Sequence, residues 1–228
     1  MSSRPGALGS WLHAHRYGVL FYTMLLSIGS QPLLGVLELP SWPIDILLGL
    51  SLIQAASAAA TGRSRWVLLG LIVAAVVVRL VGRLLHWNIV VLDAATATWT
   101  LGAFLAAASA VRFMLRPAKV GSEHLYAALS AYLLVGLFFG ILHYAIAAQL
   151  PDAYLVLGQP AAPANFTQAA AIYYSFVTLA TLGYGDIVPV HDVTRGLSIL
   201  EAVGGQLYLA VLVARLVGPV LPGLKSGE

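Results

Sequence analysis

The residues best placed to do chemistry are Thr178-Leu-Ala-Thr-Leu-Gly-Tyr-Gly-Asp186, which lie between two long apolar stretches, 125–149 and 193–217. Their chemistry belongs to the backbone. At membrane depth, carbonyls outside regular structure are tolerated only where they line a cavity or are buried in protein. A Gly-Tyr-Gly run preceded by Thr181 can aim successive carbonyls at one axis and replace the water shell of a dehydrated cation. The candidate ion-binding set is therefore Thr181, Leu182, Gly183, Tyr184 and Gly185, with the Thr181 hydroxyl as an added ligand at the inner end. Glycine at 183 and 185 reaches positive φ at little cost, which lets the carbonyls turn inward.

The surrounding composition sets the medium. The chain has 228 residues, 60% of them hydrophobic and 9% charged, and a mean hydropathy of +0.88. Soluble domains carry roughly a quarter charged residues, so an integral membrane protein is expected. No cysteine is present, which excludes disulfides and thiolate metal or redox sites. A net charge of +3 and a pI of 9.3 fit basic residues gathered in cytoplasmic loops. Nucleic acid is not an expected partner; membrane lipid is.

A spanning helix needs about 20 mostly apolar residues. Six such stretches are expected, at about 17–37, 44–61, 66–86, 89–115, 124–149 and 193–217. Pro40 and Pro43 lead into the second, Pro117 follows the fourth, and Gly218-Pro219 ends the sixth, since proline stops a helix. The first contains Ser30-Gln31-Pro32 and lacks an Ala-x-Ala-like site, so it reads as a retained span, not a signal peptide. Between the fifth and sixth lie a Pro/Ala-rich loop, 150–165, and an apolar stretch, 167–180. The latter is too short to span and suits a re-entrant helix, with Asn165 or Thr167 as its cap.

With the N-terminus inside, nine of the twelve basic residues are cytoplasmic: Arg4, Arg16, Arg63, Arg65, Arg112, Arg116, Lys119, Arg215 and Lys225. Glu123 and Glu228 are the acids on that side. This orientation follows the positive-inside rule and puts the Gly-Tyr-Gly loop outside. No internal repeat or soluble domain is visible, and no ligand-sensing domain is expected after the sixth helix.

The 178–186 string resembles the filter of the potassium-channel pore-loop family, and the layout is similar to prokaryotic six-helix members of it. The resemblance implies an all-α membrane protein with six spans and a re-entrant pore helix, conducting K+ passively as a homotetramer, because one chain supplies one strand of a fourfold filter. The helix at 167–180 would aim its negative C-terminal end at the ion. Thr178 precedes the filter at the family spacing, Asp186 caps the outer mouth, and Pro189 follows. Tyr173 and Tyr174 hold the positions of the aromatic cuff around Tyr184, and the Tyr174 hydroxyl is the candidate donor to Asp186. Val177 departs from a bacterial branch that has a buried Glu there, which leaves slow inactivation open. Arg195 and Glu201-Ala-Val-Gly-Gly-Gln-Leu-Tyr-Leu-Ala210 resemble the inner helix. Gly205 matches the hinge glycine, with close helix packing as the other reading. Gln206 would face the cavity or a neighbouring subunit. Glu201 is either a hydrogen-bonded support or a protonatable group. Pro219 and Pro222 read as helix termination.

Six helices also resemble the voltage-gated architecture, whose fourth helix carries arginines. Residues 89–111 carry no basic residue. One charge moved through 100 mV yields about 2.3 kcal/mol, so a helix without basic residues offers the field no arginine gating charge to move. Weak or absent voltage dependence is expected. Arg79 and Arg83 instead sit inside the third span, with Asp45 and Asp93 at similar depth as partners. They form either a static ion-pair cluster or an unusual sensor. The domains are then 1–116, a four-helix unit like a voltage sensor without its arginines, and 117–228, the pore. The expected location is a bacterial plasma membrane with both termini cytoplasmic.

Other classes fit less well. A haem-binding membrane oxidoreductase would want paired histidines at matched depth, whereas His13, His15, His86, His124, His143 and His191 are scattered. His86, His143 and His191 are expected near the outer surface, either as interfacial residues or as groups through which outer pH modulates the protein. No nucleophile–base pair or phosphate loop is visible, so no enzyme is expected. In nonselective cation channels of the same fold the filter tyrosine is replaced, and Tyr184 argues against that. A single-chain potassium transporter would need four such repeats.

Overall fold

A computed structural model of the chain describes residues 15–36 and 121–217, with scattered positions between 49 and 112. In chain order the elements are α1 (Arg16–Val36), α2 (Ser122–Gln149), β1 (Tyr154–Val156), β2 (Gln159–Pro160), α3 (Gln168–Leu179), β3 (Ile187–Pro189) and α4 (Asp192–Val217). Most of 44–61, 66–86 and 89–115 lies outside the described residues, as do Asp45, Arg79, Arg83 and Asp93; the described positions within those stretches are helical.

Two of the described helices are long and apolar enough to cross a membrane: Ser122–Gln149, with mean hydropathy 2.1, and Asp192–Arg215, with 1.8. At 1.5 Å per residue α2 is about 42 Å long, beyond the roughly 30 Å of a bilayer's hydrocarbon. By the same rise α3 reaches only about 18 Å, too short to cross that layer. Thr167 caps it, its hydroxyl accepting from Ala170 N–H at 3.3 Å.

Small residues decide how closely these helices meet. A Cβ at Gly140 would sit 2.7 Å from the Ile172 Cα, and one at Gly136 2.6 Å from the Phe176 ring. In lipid, apolar side chains gain nothing by leaving the solvent, so close backbone approach and packing hold helices together. Leu134, Leu137, Ile141 and Ile172 fill that seam. On the other side α1 lays Tyr17, Leu20 and Met24 against Ala127 and Ala131. The Glu123 carboxylate accepts from Tyr17 N–H at 3.1 Å. α4 crosses α3 at Gly205, where an added Cβ would lie 2.7 Å from the Leu179 carbonyl oxygen.

The 150–165 region is more ordered than the loop expected there. β1 and β2 form an antiparallel hairpin, and β1 also pairs antiparallel with β3, Val156 opposite Ile187. Both residues of its two-residue turn, Leu157 and Gly158, have positive φ, 50° and 78°, as a turn twisted to match the strands requires. The sheet rests on Tyr154, Phe166, Tyr174 and Ile187, with the Tyr154 and Phe166 rings stacked at 4.8 Å.

Candidate functional site

The site begins where α3 ends. Leu182 N–H donates to the Val177 carbonyl at 2.8 Å, and Thr181 N–H to that of Thr178 at 2.9 Å. With Thr181 at φ 58°, this is the Schellman pattern that closes helix C-termini. Glycine usually fills that left-handed position. A β-branched residue there is an outlier, and such strain of about 1–3 kcal/mol gathers at functional sites. The first residue of the candidate segment is thus also the stop of its helix, a feature that no pattern in the sequence announces.

Beyond it the sign of φ alternates. Thr181, Gly183 and Gly185 are positive, at 58°, 57° and 80°, while Leu182 and Tyr184 are not. An ordinary strand turns successive residues to opposite sides; inverting φ at every second residue is a way to bring successive carbonyls to one side. Residues 181–185 are all exposed. A row of carbonyls so aligned can replace the hydration shell of a monovalent cation. Among the described residues no cluster of His, Asp and Glu is suited to holding a metal ion by side chains.

The far end of the segment is tied to the sheet. Leu157 N–H donates to the Asp186 carbonyl at 2.7 Å. The Asp186 carboxylate accepts from Ile187 N–H at 3.1 Å and from the Tyr173 hydroxyl at 2.8 Å. That hydrogen bond pushes the Tyr173 phenol up to about 12, so it remains a donor at neutral pH. Tyr173, not Tyr174, is therefore the partner of Asp186. Tyr174 turns the other way, its hydroxyl sharing a 2.6 Å hydrogen bond with Ser198 on α4. Val177 is buried and Thr178 half-buried, both giving their carbonyls to the helix stop, while Tyr184 is 66% exposed.

Behind α3 lies a polar group that was only partly legible. Glu201 is fully buried, its carboxylate bonded to the Ser175 hydroxyl and, at 2.8 Å, to His143 Nε2. His143 Nδ1 shares a hydrogen bond with the Tyr154 hydroxyl. Burial raises the Tyr154 phenol, which keeps its proton. His143, expected near the outer surface as an interfacial residue, is instead fully buried inside the protein; α3 and the sheet cover it. His191 is exposed. Gln206 points its amide at the Leu179 carbonyl, at 3.5 Å. α4 runs unbroken through Gly205.

Known proteins match this region. A family model described as Ion channel matches residues 128–220. Two-pore potassium channel 4 of Arabidopsis thaliana is 45% identical over 51 residues, 22% of this chain and 18% of that protein. The inward rectifier potassium channel Kirbac3.1 of Paramagnetospirillum magnetotacticum is 42% identical over 83 residues, 33% of this chain and 28% of that protein. The voltage-gated potassium channel Kch of Escherichia coli (strain K12) is 38% identical over 53 residues, 23% of this chain and 13% of that protein. The chain thus spans well under two thirds of each relative. No solved structure matches it significantly. The stretch that builds the site lies within 128–220, which matches an ion-channel domain and is similar to parts of potassium channels.

Proposed function

We propose that this chain is a potassium-selective channel, conducting K+ passively across a bacterial plasma membrane through a filter of Thr181, Leu182, Gly183, Tyr184 and Gly185. The observation that carries the reading is the alternation of φ through 181–185, on an exposed strand hung from the end of α3. Its uniform backbone chemistry suits a monovalent cation stripped of water. Asp186, held by Tyr173, stands at the outer mouth, with Thr178, Val177 and Tyr174 behind. One strand makes a quarter of a ring, so four copies assemble about one axis. The exposed apolar residues of α4, among them Ile199, Leu200, Val203 and Leu207, supply surface for neighbouring copies and for lipid. The N-terminal 1–116 is a peripheral four-helix unit, and the lack of basic residues over 89–111 supports weak or absent voltage dependence. Both termini are cytoplasmic.

The test is the reversal potential of the purified protein in a planar bilayer with potassium on one side and sodium on the other. A reversal near the potassium equilibrium potential, lost in Gly183→Ala, is the expected result. Gly183 sits at φ 57°, where any Cβ costs about 1–2 kcal/mol in each strand. A wild-type reversal near zero sinks the selective reading.

A further inference from the structure

The backbone of 181–185 accounts for ion coordination and leaves the buried group behind α3 without a role. Ser175, Glu201, His143 and Tyr154 show no measurable exposure. They come from four different elements: α3, α4, α2 and β1. Buried polar groups are costly unless hydrogen-bonded, and here each bonds the next, from Ser175 through Glu201 and His143 to Tyr154. Ser175 also lies 2.7 Å from the Gly136 carbonyl on α2.

The position of the chain of bonds matters as much as its burial. α4 grips α3 at three successive heights. Ser198 holds Tyr174, Glu201 holds Ser175, and Gly205 presses on the Leu179 carbonyl. Leu179 is the last residue of α3, and the segment that follows hangs from the carbonyls of Val177 and Thr178. A helix of 12 residues is too short for the bilayer to fix its depth. Apolar packing tolerates sliding and rotation that a directional hydrogen bond does not. An apolar group of equal volume would commonly pack as stably as a buried ion pair, so stability alone does not explain these residues.

We propose that Glu201 is a positioning residue for the ion-coordinating segment. It acts through Ser175, is itself held by His143, and transmits any movement of α4 to the foot of α3. The inference rests on the reading of 181–185 as the filter.

The test uses the full chain reconstituted in bilayers, with the potassium-to-sodium permeability ratio taken from the reversal potential of Ser175→Ala, Glu201→Leu and Glu201→Gln. The ratio is read from channels that open, so loss of folded protein does not move it. Ser175→Ala and Glu201→Leu are expected to lower it by roughly tenfold, the scale of one lost buried hydrogen bond. Glu201→Gln keeps shape and polar partners and stays within about twofold, a loss well under one hydrogen bond. Should Glu201→Leu fail to assemble, Ser175→Ala decides. A wild-type ratio in Ser175→Ala overturns the positioning role and leaves the channel reading standing. A wild-type protein that reverses at zero overturns the channel reading and this one with it. If no current flows, the melting-temperature gain of purified protein in potassium over sodium reports the same coupling: Ser175→Ala is expected to shrink it, and an unchanged gain overturns the proposal.

Discussion

Thr181 does two things with one torsion. Its left-handed φ lets its own N–H and that of Leu182 close the end of α3, and it opens the alternation that continues through Gly183 and Gly185. The adjacent pair Tyr173 and Tyr174 divides its work as sharply. One hydroxyl goes to Asp186 and the other to Ser198. Tyr173→Phe is therefore expected to weaken the outer mouth by about 1 kcal/mol, the net worth of one hydrogen bond, seen as faster current decay under steady potassium. Tyr174→Phe leaves that decay unchanged; the reverse order would mean Asp186 has another anchor in the membrane. The pH dependence has a definite sign. Because the phenol's value is raised on folding, its contribution is complete below about 10 and is lost as pH rises through about 12. The mouth should thus be insensitive to pH across the physiological range so far as Tyr173 is concerned.

Among the elements, α3 is the one whose placement everything else serves. It cannot span, so α2, α4 and the small sheet hold it from three sides. The glycines of α2 make different predictions because different atoms oppose them. At Gly140 the nearest obstacle is the Ile172 backbone, whereas at Gly136 it is the Phe176 ring. A ring edge swings aside more readily than a helix axis. Gly140→Ala should cost about 1–3 kcal/mol as overpacking does, read as a lower midpoint of thermal unfolding in detergent, and Gly136→Ala less. Equal midpoints would show that α3 moves freely against α2. Gly205 is tight for the same kind of reason: its neighbour is the Leu179 carbonyl oxygen. Replacing it displaces the foot of α3 whether or not α4 bends there, so such a variant alone does not report a hinge.

At the scale of the whole molecule, α4 differs from α2 in what it leaves uncovered. Half of the spanning stretch of α2 is buried within one chain, against 17% for α4. In the proposed assembly that surface meets other copies and lipid, and native mass spectrometry should find four copies of the 24.0 kDa chain. A monomer that still selects potassium would refute the fourfold arrangement. The proposed N-terminal unit makes a separate prediction. Arg79→Gln with Arg83→Gln should leave the conductance–voltage curve in place while lowering expression, as a static ion pair requires. A shifted curve would make these arginines a sensor.

Local properties were legible without a fold. Hydropathy over 124–149 and 193–217 marks helices that the structure bounds as α2 and α4 with slightly earlier starts. Glycine's access to positive φ marks 183 and 185, where the backbone takes it. The hairpin at 154–160 was not legible, because Leu157 in a left-handed turn carries no turn signal and its strand partner, β3, lies beyond α3. What remained was a question of rotation. Residues 173 and 174 stand about 100° apart around a helix, so either could have faced Asp186. The close approach at Gly136 and Gly140, together with the hydrogen bonds from Ser198 and Glu201, sets which way α3 turns. That rotation sends Tyr173 to Asp186, Tyr174 to α4 and Ser175 to Glu201. Composition and spacing determine what each residue is able to do; the packing of one short helix decided which of them meet.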